Sequence, residues 1–250
     1  MPLCLHPQTQ NCMKRNAKFE SGLYYHEIIK ANSDSILFRD SDDKKFFLKK
    51  MCTFILPCCE ILAYCILGNH VHLLLKPHPK EILSKLTLNL HLLDSKLKAS
   101  DLQDYLDHKI EMKLPLGEKN TSVSVHEQIR SCLKSLKRSY DHYLLKKYNA
   151  SGSLWSRYKS TTLLPYPEDV SRTIIYIHKN PVYHGMVHHP EDWSYTSIHE
   201  ILAQQDKLVR SNEVIRWFGS ISEFRACHAV TQTEFGKKPA KLKSTLNTPL

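Results

Sequence analysis

Four residues in two short stretches have the types and spacing to hold a divalent metal beside a phenol. The first stretch is Gly68-Asn69-His70-Val71-His72-Leu73-Leu74-Leu75, and the second is Tyr176-Ile177-His178-Lys179-Asn180-Pro181-Val182. In a β-strand alternate side chains share a face, so His70 and His72 point the same way and Val71 points oppositely. Two neutral imidazoles presented like this can share one divalent cation. Taken alone, a His-x-His pair describes surface or hydrogen-bonded strand histidines equally well. Its weight comes from the second stretch. Asp169 to Lys179 has helical periodicity, with Val170, Ile174 and Ile177 as the apolar stripe. Tyr176 and Asn180 are four apart and share a face of its last turn. Pro181 disfavours helical geometry at Asn180, which predicts a helix ending there. If that face covers the histidine strand, a phenol and an amide oxygen arrive together beside the metal. Without the histidines, the same residues would read as a core tyrosine and an asparagine cap.

The elements needed to position these groups are legible nearby. Ile61 to Leu67 reads as a strand, and Gly68-Asn69 as a two-residue turn that makes a hairpin with the His70/His72 strand. Tyr24 to Ala31 reads as a first strand, and Asp40-Ser41-Asp42 caps a helix carrying Phe46, Phe47, Leu48 and Met51. Pro77 and Pro79 end the histidine strand, and Glu81 to Ala99 reads as a helix followed by a polar loop over Gly117 to Ser124. His126 to Tyr148 is an amphipathic helix with Ile129, Leu133, Leu136 and Tyr140 on one stripe. Arg130, Lys134, Lys137 and Arg138 run along a neighbouring flank, either as a solvated basic face or as a contact to a nucleic-acid backbone. Gly152 to Leu164 reads as a strand bearing Arg157, Tyr158 and Lys159. Regular alternation allows one set to face DNA, and Arg157 with Lys159 is the preferred set. The order strand, helix, strand, strand, helix, strand implies an α+β fold with helices packed on an antiparallel sheet.

With these motifs in this order, the chain resembles the single-tyrosine HUH transposases, in particular the REP-associated tyrosine transposases and their insertion-sequence relatives. Asn69-His70-Val71-His72 matches the HUH motif and Tyr176 to Val182 the tyrosine motif, with Trp155-Ser156-Arg157-Tyr158-Lys159-Ser160 and Trp193-Ser194-Tyr195-Thr196-Ser197 as supporting matches. The resemblance runs from about Leu23 to Leu202. Gly68 departs from it, since many relatives have a proline there, but no chemical group is lost. The resemblance implies a ferredoxin-like HUH nuclease fold, with Mg²⁺ or Mn²⁺ held by His70, His72 and Asn180. It implies that Tyr176 attacks single-stranded DNA beside a hairpin repeat, giving a 5′-phosphotyrosine and a free 3′-hydroxyl. A monomer is favoured over a homodimer, in a bacterial cytoplasm at the nucleoid. Two other classes stay open: a domesticated DNA-repeat-binding protein without catalysis, and a metal-dependent nuclease that uses water.

Composition bounds the rest. Among 250 residues, Lys plus Arg exceed Asp plus Glu by ten, the balance of a protein with a polyanionic partner. No apolar run reaches membrane-spanning length, and the polar start lacks a signal-peptide core. The eight cysteines include no Cys-x-x-Cys pair and several sit in apolar stretches, which predicts buried free thiols rather than a disulfide framework or a cysteine zinc site. The expected organisation is a flexible leader over 1–22 and a catalytic domain over 23–204 with an insertion at 80–125. A helical C-terminal appendage with a basic tail follows over 205–250.

Overall fold

A computed structural model of the chain describes residues 16–32, 35–85, 123–150, 154–157 and 160–229. Its elements are β1 (Tyr24–Lys30), α1 (Ser41–Phe54), β2 (Cys59–Ile66), β3 (His70–Pro77), α2 (Lys80–Lys85), α3 (Val125–Tyr148), β4 (Ser160–Leu164) and α4 (Pro167–Tyr183). A 3-10 turn at Pro190–Asp192 and three short helices follow: α5 (Ile198–Leu202), α6 (Ser211–Phe218) and α7 (Ile221–Ala229). The four strands form one antiparallel sheet in the order β2-β3-β1-β4. The fold is α+β, as the sequence pattern predicts.

Alternation along β1 divides the helices between the faces. Glu27 meets Arg130 of α3 on one face, whereas the neighbouring His26 meets the Tyr176 ring of α4 on the other. Helices α1 and α3 pack together behind the sheet around Phe38, Phe47 and Tyr140, whose hydroxyl donates to the Leu37 carbonyl at 2.9 Å. Both helices begin with capping boxes, Asp40 with Asp43 and Ser124 with Glu127.

Four expectations change. The helix of the tyrosine motif runs through Pro181 to Tyr183. Proline removes one amide donor, to the carbonyl four residues back. So close to the helix end the remaining bonds persist, with the His184 amide donating to the Asn180 carbonyl at 3.1 Å. The leader packs on the core through Ala17 and Phe19: Phe19 is 2% exposed against Tyr25, and the Ala17 amide donates to the Thr161 carbonyl. A pair of apolar and aromatic residues close to β1 was enough to draw that segment into the core. Cys58 and Cys132, expected as separate free thiols, come sulfur to sulfur where α3 crosses behind the sheet, with Cα atoms 7.3 Å apart, wider than a relaxed disulfide spans. Cys52, Cys59 and Cys65 are buried free thiols, as expected, and Cys227 is a partly buried one. Finally, the last strand begins at Ser160, so exposed Arg157 lies before it rather than within it.

Lys159, Tyr158, most of the predicted insertion and the basic tail lie outside the described residues. Among those described, no helix is long and apolar enough to cross a membrane.

Candidate active site

The hairpin that presents the two histidines is built as the sequence suggests, with its two-residue turn at Gly68 and Asn69. Leu67 donates to the His70 carbonyl at 2.9 Å across Gly68 and Asn69. Gly68 has no positive φ, and an added Cβ there would meet no atom within 4 Å. The turn therefore does not depend on glycine. The Gly68 carbonyl accepts from the Leu37 and Phe38 amides at 2.8 and 2.9 Å, tying the hairpin tip to the loop before α1.

Helix α4 crosses the histidine face. Pro167 occupies its first turn, with Glu168 and Asp169 suited to the positive end of the helix dipole. Val170, Ile174 and Ile177 are fully buried beneath it, and burial of such side chains stabilises by roughly 1.5–3 kcal/mol each. The same orientation puts Asn180 into the interior and leaves Tyr176 at the rim, 42% exposed. The Tyr176 ring stands edge-on to His72 and His26, with centroids 5.5 and 5.9 Å away. His70, His72, Tyr176 and Asn180 are thus brought into one place.

The hydrogen-bonding state of this cluster carries chemical information. His70 Nδ1 lies 2.6 Å from the Asn69 side-chain oxygen, so Nδ1–H donates there and Nε2 keeps a lone pair. That Nε2 is 3.4 Å from Asn180 Oδ1. His72 is 2% exposed, and its Nε2 is buried with no hydrogen-bond partner. Burial holds both imidazoles below the usual histidine range; neighbouring His26 and His70 lower His72 further, and the Asn180 amide opposes the shift in both. Neutral imidazoles keep their lone pairs at neutral pH. The His70 Nε2 lone pair, the buried His72 Nε2 and the Asn180 amide oxygen thus face one nest, an arrangement that a cation would satisfy when His72 carries its proton on Nδ1. Among the described residues no three His, Cys, Asp or Glu side chains gather to hold a metal; His70 and His72 bring two ring nitrogens and Asn180 an amide oxygen. The residues fit a divalent cation.

The basic residues separate. Arg130 is committed inside the fold, donating to Glu27 at 3.1 Å and to the Thr161 hydroxyl, on the sheet face opposite the histidines. Lys134 and Arg138 are exposed on that far side, and Lys137 there acts electrostatically on Glu27. Arg157 lies toward the His70 end of the sheet, because Trp155 bridges Ala31 and the Ser156 amide donates to the Lys30 carbonyl. Lys30 is the register partner of His70.

Sequence reading overlooked His26, whose Nε2 lies 2.9 Å from His72 Nδ1. The β1 pattern marks it as a strand residue, but only the β1–β3 register brings it to His72. The other histidines of the tyrosine motif fall where helical spacing puts them. His178 points into the core away from Tyr176, and His184 is exposed beside His70 with ring centroids 5.4 Å apart.

No family model and no curated protein matches the chain. Among solved structures it is similar to a REP-associated tyrosine transposase bound to a REP hairpin, at 16% identity and a TM-score of 0.46, over 79% of this chain and 88% of that one. It is also similar to a bacterial tRNA(His) guanylyltransferase-like protein in complex with GTP, at 10% identity and a TM-score of 0.37, over 71% and 72% of the two chains.

Proposed function

We propose that this chain cuts and rejoins single-stranded DNA next to a hairpin repeat, using Tyr176 as the nucleophile. The observation that carries the reading is the placement of an exposed phenol, without a hydrogen bond to any described residue, at the edge of the His70/His72/Asn180 nest. A tyrosine kept for packing would be buried or hydrogen-bonded through its hydroxyl. The motif resemblance supplies the substrate class.

In the proposed reaction the Tyr176 oxygen attacks the scissile phosphorus and the bond to the 3′ oxygen breaks. The products are a 5′-phosphotyrosine and a free 3′-hydroxyl. The phenol proton passes to solvent, to which Tyr176 is open, and the leaving oxygen acquires one. Phosphotyrosine keeps the phosphodiester energy, so a second 3′-hydroxyl can reverse the step and join strands without ATP. His70, His72 and Asn180 would hold Mg²⁺ or Mn²⁺, which would supply positive charge toward the phosphate. Arg157 holds the strand's backbone beside the site, and Lys134, Lys137 and Arg138 meet a duplex stem that reaches around the domain.

The test is a cleavage assay on single-stranded hairpin DNA from the gene's own flanks, with Mn²⁺, read on a denaturing gel. The expected result is a protein-linked 5′ end that disappears in Tyr176→Phe and in His70→Ala. Persistent cutting by Tyr176→Phe would instead assign a water-using nuclease. Tight binding without cutting would assign a non-catalytic repeat binder.

A further inference from the structure

We infer that His26 is a positioning residue that fixes the tautomer and ring plane of His72 so that its Nε2 lone pair is held in the metal nest. The inference rests on the reading of that nest as a cation site.

Geometry selects His26 for this role. In the β1–β3 register, His72 pairs with Ile28 and His26 pairs with Leu74, so the two histidines are diagonal neighbours on one sheet face. Their rings stack with centroids 5.1 Å apart and planes 22° apart, and His26 Nε2 meets His72 Nδ1 at 2.9 Å. Two ring nitrogens this close share a single proton. If it sits on His26, then His72 carries its own proton on Nε2, a buried donor with no acceptor. Such an orphaned donor is unfavourable, because it gives up its hydrogen bond to water and gains none in the fold. If it sits on His72 Nδ1 and is donated to His26, the His72 Nε2 lone pair is free for a cation. The second arrangement leaves His26 with its proton on Nδ1, on a ring that is only partly buried.

The two proposed ligands are then supported in parallel. Asn69 accepts from His70 Nδ1 at 2.6 Å, and His26 accepts from His72 Nδ1 at 2.9 Å. Partners of this kind orient a ligating imidazole and raise its basicity, and their loss typically weakens metal binding by about ten- to a hundredfold. Asn69 lies inside the histidine motif. His26 comes from another strand and forms the far wall of the site, with its ring also against Tyr176.

The test measures Mn²⁺ affinity by calorimetry on the full chain without DNA, in the wild type, His70→Ala, His26→Leu and His26→Gln, with melting curves alongside. His26→Leu keeps apolar packing but removes the acceptor, and is expected to weaken Mn²⁺ about tenfold or more. His26→Gln restores an acceptor oxygen and should recover most of that loss. A lowered melting temperature with Mn²⁺ affinity within twofold of wild type would overturn the inference and leave His26 a packing residue. Wild type and His70→Ala both failing to bind Mn²⁺ would overturn the cation site itself, and this inference with it. Nitrogen-15 spectra of the wild-type imidazoles give an independent check that needs no variant. They should show His72 protonated at Nδ1, and protonation at Nε2 would overturn the inference.

Discussion

Among the described residues two pairs of histidines meet nitrogen to nitrogen at 2.9 Å, His26 with His72 and His178 with His228. The second pair is closed at both ends. His178 Nε2 lies 2.8 Å from the Ser197 hydroxyl, and His228 Nδ1–H donates to the Phe224 carbonyl at 2.7 Å. It is buried among Phe224 and Phe218, where it joins α4 to α7 and, through Ser197, to the edge of β2. The first pair is open, because His72 Nε2 has no partner. Equal contacts thus serve different ends. A histidine pair whose nitrogens are all satisfied holds elements together, whereas a buried ring nitrogen left over is the one that the proposed reading gives to a cation.

Exchanging the damage between the pairs gives the largest expected effect. His72→Ala should reduce metal-dependent cleavage by more than about a hundredfold, beyond the loss of an outer partner, while the protein still melts cooperatively. His178→Ala should act the other way, removing two hydrogen bonds and leaving a cavity at a cost of about 3 kcal/mol, with Mn²⁺ affinity unchanged where the protein is folded. Calorimetry and melting curves on both variants check the contrast. If His178→Ala weakens Mn²⁺ as much as His72→Ala does, the division between the pairs fails.

Charge gives an intermediate effect. Arg130→Met strands the Glu27 carboxylate, whose pKa burial already pushes up, and should destabilise by about 2 kcal/mol once its partial exposure is discounted. Lys134→Ala with Arg138→Ala touches no such pair. It should leave stability and the cleavage rate at saturating DNA nearly unchanged, and reduce the salt dependence of binding by about one unit per lost phosphate contact. Urea melts and salt titrations separate the two outcomes.

Acid sensitivity is the smallest and sharpens the closed pair. Burial pushes His228 down to about 4, and His178 lies well below its usual range. Both are neutral in the fold but take up protons in the unfolded chain below about pH 6.5. Their contribution is therefore complete above that value and is lost as pH falls toward 4. Stability curves for His228→Gln should have a shallower slope than wild type across this window. An unchanged slope would contradict the neutral, buried pair.

The sheet and the motif residues were legible because short-range patterns encode them. Alternation placed His70 and His72 on one face, and four-residue spacing put Asn180 under the same helix face as Tyr176. What stayed hidden depends on pairing between distant segments. His26 needs the β1–β3 register, the Cys58–Cys132 contact needs the crossing of α3, and the fate of Arg130 needs Glu27 beneath it. The helix end after Pro181 was misjudged for a different reason. A proline rule is local, and the buried last turn of α4 is held by tertiary packing and by the Met186 amide donating to the Pro181 carbonyl at 2.9 Å.

The most direct test of Tyr176 as nucleophile is peptide mass spectrometry after the wild type meets hairpin single-stranded DNA and Mn²⁺. Tyr183 is a built-in competitor, since its ring lies 6.0 Å from that of Tyr176 and is also exposed. The account predicts a phosphodeoxynucleotide remnant on the peptide position of Tyr176. Cut DNA with no adduct, or an adduct on Tyr183, would contradict it.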